Sequence, residues 1–169
     1  MDGPDGGATF SESRVYRYTL WRQWDDGGRL NVIGLNPSTA DESTDDPTIR
    51  RCIGYAKDWG FAGLTMTNLF GFRSTDPKGL LSVTDPSGPD NLSHVLTNAK
   101  QAGLVLAAWG SLHPRFQRHG GELLQLLVSA NVSVWCLQRT KHGFPVHPLY
   151  QRRDLKPVIL LKGDRMVPC

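Results

Sequence analysis

Four short apolar runs in this chain stop abruptly at polar or aromatic residues. Val32–Leu35 breaks into Asn36-Pro37-Ser38-Thr39, and LTMTN ends at Asn68. LVLAAWG closes on Trp109-Gly110, and VSVWCLQRTKHG leads to His147. Apolar runs of this length, bounded by turn formers, predict buried strands. Between them the apolar period changes to that of a helix. Asp46-Pro47 supplies an N-cap and an N1 proline, Ile49, Cys52, Ile53, Ala56 and Trp59 form a stripe, and Gly60 is the stop. A short helical turn is predicted at Pro77–Leu81. A helix opens at Gly88-Pro-Asp-Asn and runs to Lys100 with Leu92, Val95, Leu96 and Ala99 inward. Another helix is predicted over Pro114–Ala130. Ahead of these, VYRYTLWRQW alternates loosely, and the turn signal Asp25–Gly28 predicts a hairpin to the strand Leu30–Leu35. Lys156–Leu161 adds an edge strand.

This alternation of strand and helix after residue 30 predicts an α/β fold with a parallel sheet covered on both faces. The expected architecture is a three-layer α/β/α domain with a central, mainly parallel four-stranded sheet plus an N-terminal hairpin strand. Right-handed crossovers bring successive strand ends to one rim. Asn36, Asn68, Trp109 and the Thr140–His147 loop are therefore expected to share the crevice outside the carboxyl ends of the strands. Residues 1–12, rich in Gly, Asp and Ser, read as a disordered tail, with one domain over 13–169.

Charge is uneven. Residues 1–46 carry nine acidic and four basic side chains, residues 47–169 seven acidic and fifteen basic, within a net charge of +3. Between Arg139 and Arg165 seven basic residues face two acidic ones. Such a basic stretch can meet phosphates, and Arg50, Arg51, Arg73, Lys141, Arg152 and Arg153 are the expected contacts. It can equally be a solvated cationic surface. Cys52, Cys136 and Cys169 are too few and too dispersed for a disulfide framework or a CxxC pair, which suits a reducing cytoplasm. The start MDGPDGGATF has neither region of a signal peptide, and no apolar run is long enough to span a bilayer.

Among chemical groups, Asn36 is either a turn former before Pro37 or a positioned amide that holds water. An amide is not a general base, so hydrolysis assisted by it must need little early proton abstraction. Cleavage of a glycosidic bond through an oxocarbenium-like state satisfies that condition. Asp46 is read as a helix cap, and Asp41 as the acid that acts on water or steadies positive charge. His147, in a Gly- and Pro-rich loop, can donate to an oxyanion on a departing base. Phe70, and less directly Phe72 and Trp109, are aromatics that can face a base. The histidine spacings give no metal site, and there is no nucleophile elbow, P-loop or G-x-G-x-x-G after a strand.

The order of Leu30–Ala40 with Asn36-Pro37, Leu64–Phe70, Leu104–Gly110 and His147-Pro148 resembles that of the uracil-DNA glycosylase superfamily. GLNPS resembles the motif GINPG of the mismatch-specific uracil and thymine glycosylases, and HPLY resembles the superfamily's second motif. The wording NPSTAD, DDPTIRRC, TNLF-x-FR-x-TDP, AWG and HPLY resembles, along nearly the whole domain, a bacterial and phage family known only as domain of unknown function 1643. The superfamily resemblance implies that Asn36 positions water and His147 contacts the base. It also implies that Phe70 stacks on the base and Asn68 reads its edge, with Leu35, Pro37, Ser38 and Trp109 around the ligand. Ser38 replaces the glycine of GINPG, and LYQRRD lacks the small residues that follow the second motif, so insertion of a wedge into duplex DNA is not implied. The insert ADESTDDPTIRR lies outside the glycosylase pattern.

The function expected from the sequence is hydrolysis of the N-glycosidic bond of a damaged or modified base, uracil or related, in DNA. The protein would be a cytoplasmic monomer, not bound to membranes and needing no metal or organic cofactor. The alternatives are a non-catalytic module that reads a modified base, and a hydrolase or transferase acting on free nucleosides or nucleotides.

Overall fold

The sheet is built around β3, Arg29–Gly34, and β4, Gly63–Asn68. They lie parallel with Ile33 opposite Thr67 and Gly34 opposite Asn68, so their carboxyl ends are level. On the other side of β3 runs β5, Leu104–Ala107, also parallel, and beyond it β6, Val134–Cys136. The computed structural model describes residues 5–163. Residues 1–4 and 164–169, with Arg165 and Cys169 among them, lie outside the described residues.

Among the described residues the sheet is mixed and has seven strands in the order β1-β2-β4-β3-β5-β6-β7. This corrects the expected four-stranded, mainly parallel sheet. Strand β1, Asp5–Phe10, pairs antiparallel with β2, Arg17–Gln23, and β7, Val158–Leu161, pairs antiparallel with β6. Residues 5–10 were expected within a disordered tail. They are ordered by ladder bonds to β2, which their Gly- and Asp-rich composition does not reveal. The predicted hairpin between β2 and β3 also fails. Strand β2 pairs with β4, and β4 lies between it and β3. The six residues of β4 are buried at every position, as a strand covered on both faces must be.

Helix α1, Pro47–Asp58, covers one face of the sheet, and α2, Asn91–Gln101, with α3, Gln117–Ser129, covers the other. Alternation along β3 divides the core accordingly. Leu30 and Val32 join Ile49, Cys52, Tyr55 and Ala56 of α1, whereas Ile33 joins Val95 and Ala99 of α2 and Leu127 of α3. Leu92, expected inward on α2, is exposed. Helix α1 is also strapped from outside: Tyr55 Oη donates to the Arg152 carbonyl at 2.6 Å and Trp59 Nε1 to the Leu155 carbonyl at 3.1 Å. Among the described residues, no helix is long and apolar enough to cross a membrane.

Because β4 and β5 lie on opposite sides of β3, the chain leaves the end of β3 one way and returns the other. A crevice opens at such a switch point. Since β2 runs antiparallel to β4, its first residue, Arg17, comes to the same rim, and its backbone N–H donates to the Gly71 carbonyl at 2.9 Å.

Candidate functional site

A cavity of about 220 Å³ occupies this rim. Its polar wall includes Arg17, Asn36, Asp46, Asn68, Thr75 and His147. That volume lies below the ~300–1,000 Å³ of most small-molecule sites and suits one base-sized ring.

Asn36 shapes the turn before the cavity, and its side chain also lines the cavity. Its Nδ2 donates to the carbonyls of Pro37, at 3.0 Å, and Ser74, at 2.9 Å. The Ser74 N–H returns a bond to the Pro37 carbonyl at 2.9 Å, so the loops after β3 and β4 are stitched together. With both amide hydrogens engaged, Oδ1 is the atom Asn36 can offer a ligand, and an acceptor suits a bound water.

Asn68 reaches the cavity because Gly34 lies beside it. A Cβ on Gly34 would stand 2.8 Å from Asn68 Oδ1, so any larger residue would displace the amide. Asn68 is 3% exposed, and its Nδ2 is buried without an acceptor.

His147 is held on the far wall by Gly110, which takes a φ of 74° that a residue with a side chain rarely adopts. The Gly110 N–H donates to the Pro145 carbonyl at 2.8 Å, and a Cβ there would meet His147 Cβ at 3.6 Å. His147 Nδ1 accepts from the Leu149 N–H at 3.2 Å. The neutral ring therefore carries its proton on Nε2 as a donor. His147 is exposed at the mouth, yet desolvation around the ring lowers its pKa, with the Asp46 charge opposing the shift.

Asp46 was assigned only a capping role from the sequence. Its Oδ1 accepts from the Ile49 N–H at 2.9 Å, and the same side chain lines the cavity. Asp41, the expected acid, does not. Its Oδ1 accepts from the N–H groups of Ser43, at 3.0 Å, and Thr44, at 2.8 Å, closing a turn. Those bonds hold its carboxyl below the usual range. The reason is local: the short Asp41 side chain meets its own loop before it can reach across the rim.

The expected aromatics do not face the cavity. Phe70 is 0% exposed, with its ring centroid 4.7 Å from that of Phe116 and 5.3 Å from that of His119. Strand β4 ends at Asn68. Leu69 and Phe70 then donate to the Gly34 and Leu35 carbonyls, alternation stops, and both side chains enter the core beneath α2 and α3. Trp109 joins that core. Leu35 and Ser38 line the cavity, and Pro37 is buried behind it.

The predicted phosphate contacts are scattered. Arg50 donates to the Asp45 carbonyl at 2.6 Å near the cavity, and Arg51 lies over the Tyr55 ring at 5.3 Å. Arg73 lies over the Phe10 ring at 4.9 Å, and Lys141 is exposed. Arg152 pairs with Asp154 at 2.5 Å and Arg153 with Asp58 at 3.1 Å. Asp58 ends the 12-residue α1, so Arg153 sits a helix length, ~18 Å, from the cavity at ~1.5 Å per residue. Among the described residues, no three His, Cys, Asp or Glu side chains gather as metal ligands.

Asp46 has two roles that one substitution separates. Asp46→Asn keeps a good N-cap, so the capping contribution should change by less than about 0.5 kcal/mol. Removing the charge should lower the His147 pKa further. As pH falls the unfolded chain takes up this proton first. The stability due to neutral His147 is thus complete above ~6.5 and lost as pH drops through the lowered value. NMR titration of the ring should place it below the ordinary histidine value, and lower still in the variant. An unmoved His147 would show that Asp46 does not act on the site.

Arg17 was missed by sequence reasoning. A charged residue in a run of buried strand positions was the available signal, but its place at the rim depends on β2 pairing with β4. The sequence profile of a family described as "Protein of unknown function (DUF1643)" matches residues 17–149. No curated protein and no solved structure matches the chain.

Proposed function

We propose that this chain, which belongs to the DUF1643 family of proteins of unknown function, hydrolyses the N-glycosidic bond of a nucleobase in DNA. The observation that carries the reading is that Asn36 and His147, far apart in sequence, line one base-sized cavity together with Asn68 and Asp46. The resemblance of the Asn36-Pro37 and His147-Pro148 motifs to the uracil-DNA glycosylase superfamily supports it further.

In this mechanism the base enters the cavity and Asn68 contacts its edge. The bond from C1′ to the base nitrogen breaks, and its electron pair leaves with the base. His147 Nε2–H donates to the anion forming on the base, where a neutral donor in a confined site is most effective. Asn36 Oδ1 holds a water toward the sugar cation, whose positive charge the Asp46 carboxylate steadies. The water oxygen bonds to C1′ and its proton passes to Asp46. Base stacking on Phe70 has no part in this course.

Action on free nucleosides or nucleotides is the second reading, favoured by the pairing of Arg152 and Arg153 and the distance of Arg153 from the cavity. Single- and double-stranded oligonucleotides carrying uracil, hypoxanthine or oxidised pyrimidines should yield alkali-labile abasic sites above an Asn36→Ala control. Binding of the same oligonucleotides should weaken steeply with salt. Base release from nucleosides or nucleotides, with none from any oligonucleotide, would establish the second reading instead.

A further inference from the structure

A buried guanidinium is strongly unfavourable unless a counter-charge or a full set of acceptors surrounds it. Strand β2 contains two buried arginines with opposite fates. Arg22 meets the Asp45 carboxylate through Nε at 3.0 Å and Nη2 at 2.9 Å. Arg17, only 2% exposed, has no such partner. Its Nη1 donates to the Ala40 carbonyl at 2.8 Å, while Nε is buried without an acceptor. Among the described residues no carboxylate lies within ion-pairing distance of it. Burial pushes its pKa down to about 10, which leaves it charged at neutral pH.

The unused side of Arg17 is the useful one. Nε–H and Nη2–H point in parallel and match the two oxygens of a carboxylate or phosphate. The Ala40 carbonyl fixes the opposite edge of the guanidinium. Arg17 lines the same cavity as Asn68, whose Nδ2 is likewise buried without an acceptor. These two side chains form the enclosed end, and exposed His147 the mouth. Asp46 lines the wall as well; beyond ion-pairing distance, its charge favours the charged form of Arg17 and repels an anion on its own side.

We infer that the enclosed end of the cavity is an oxyanion site, in which the Arg17 fork and the Asn68 amide grip the carboxylate or terminal phosphate of a small ligand. A phosphodiester within a DNA chain cannot enter end-first, so the group is terminal on whatever carries it. The inference is independent of glycosidic cleavage: an oxyanion held there competes with a base edge for Asn68, and it binds whether or not a bond is broken.

Calorimetric titration of the full chain at fixed ionic strength in sodium chloride tests it, with inorganic phosphate, orotate and neutral uracil as probes. Phosphate or orotate should bind with 1:1 stoichiometry, at least tenfold more tightly than uracil. Binding of phosphate alone assigns a terminal phosphate, and of orotate alone a carboxylate. Arg17→Lys, which keeps the charge but loses the fork, should weaken binding about tenfold or more. Asn68→Ala should weaken it severalfold and serves if the arginine variant does not fold. The inference is overturned if neither anion binds the wild type, if uracil binds as tightly as the anion that does bind, or if the folded variants bind unchanged. None of these results depends on oligonucleotide cleavage, so the two proposals fail separately.

Discussion

Phe70→Ala is expected to remove about 3–5 kcal/mol of stability, the usual loss when a fully buried phenylalanine is truncated. Phe70 has no exposed surface and packs against Phe116 and His119 within the cluster that also holds Leu80 and Val95. The alanine would leave a void that close-packed neighbours fill only in part. For a chain of this size the melting temperature should fall by roughly 6–20 °C. Phe70→Leu, which keeps most of the volume, should recover much of the loss. A base-stacking residue behaves in the opposite way: its truncation weakens ligand binding and leaves the melting temperature nearly unchanged. Thermal unfolding of the two variants separates these outcomes. A shift of less than about 2 °C for Phe70→Ala would contradict the core assignment.

Asn36→Ala is expected to lower turnover by about 10²–10³, the scale for removing one well-placed polar group from an active site. The fall should appear in kcat with KM little changed, because the amide acts on water rather than on the base. A structural effect will accompany it. Two hydrogen bonds, to the Pro37 and Ser74 carbonyls, are lost with the side chain, at a cost of about 1–3 kcal/mol in all. A residue that only shapes the turn would give the loss of stability without the selective loss of kcat. Turnover within about fivefold of wild type in a folded variant would reduce Asn36 to that structural role. The experiment requires an active substrate from the oligonucleotide and nucleoside panel.

Much of the site's location was legible before the fold. The runs ending at Asn36 and Asn68, and the loop carrying His147, pointed to one rim, and these three residues do line one cavity. Strand periodicity and the parallel crossover rule suffice for that, since both act through local geometry. The Asp46-Pro47 cap of α1 was equally plain, because capping is a contact between near neighbours. Residues whose direction depends on where a strand stops were less accessible. Phe70 follows Asn68 by two positions and would share its face if β4 continued. The strand ends at Asn68, and Phe70 enters the core.

The chain's own order of apolar runs, caps and turn formers was enough to specify an α/β fold, the positions of its three long helices and the rim at which polar groups collect. Periodicity and capping involve residues close in sequence, so their physics can be read along a line. Pairing between distant strands determined the remainder: seven strands rather than four, β4 placed between β2 and β3, and Arg17 brought to the cavity. Strand partners are chosen by burial summed over the whole molecule, and no short stretch contains that sum. The unpaired guanidinium of Arg17, the least expected feature of the site, exists only because that global pairing carried a charged residue into a buried place.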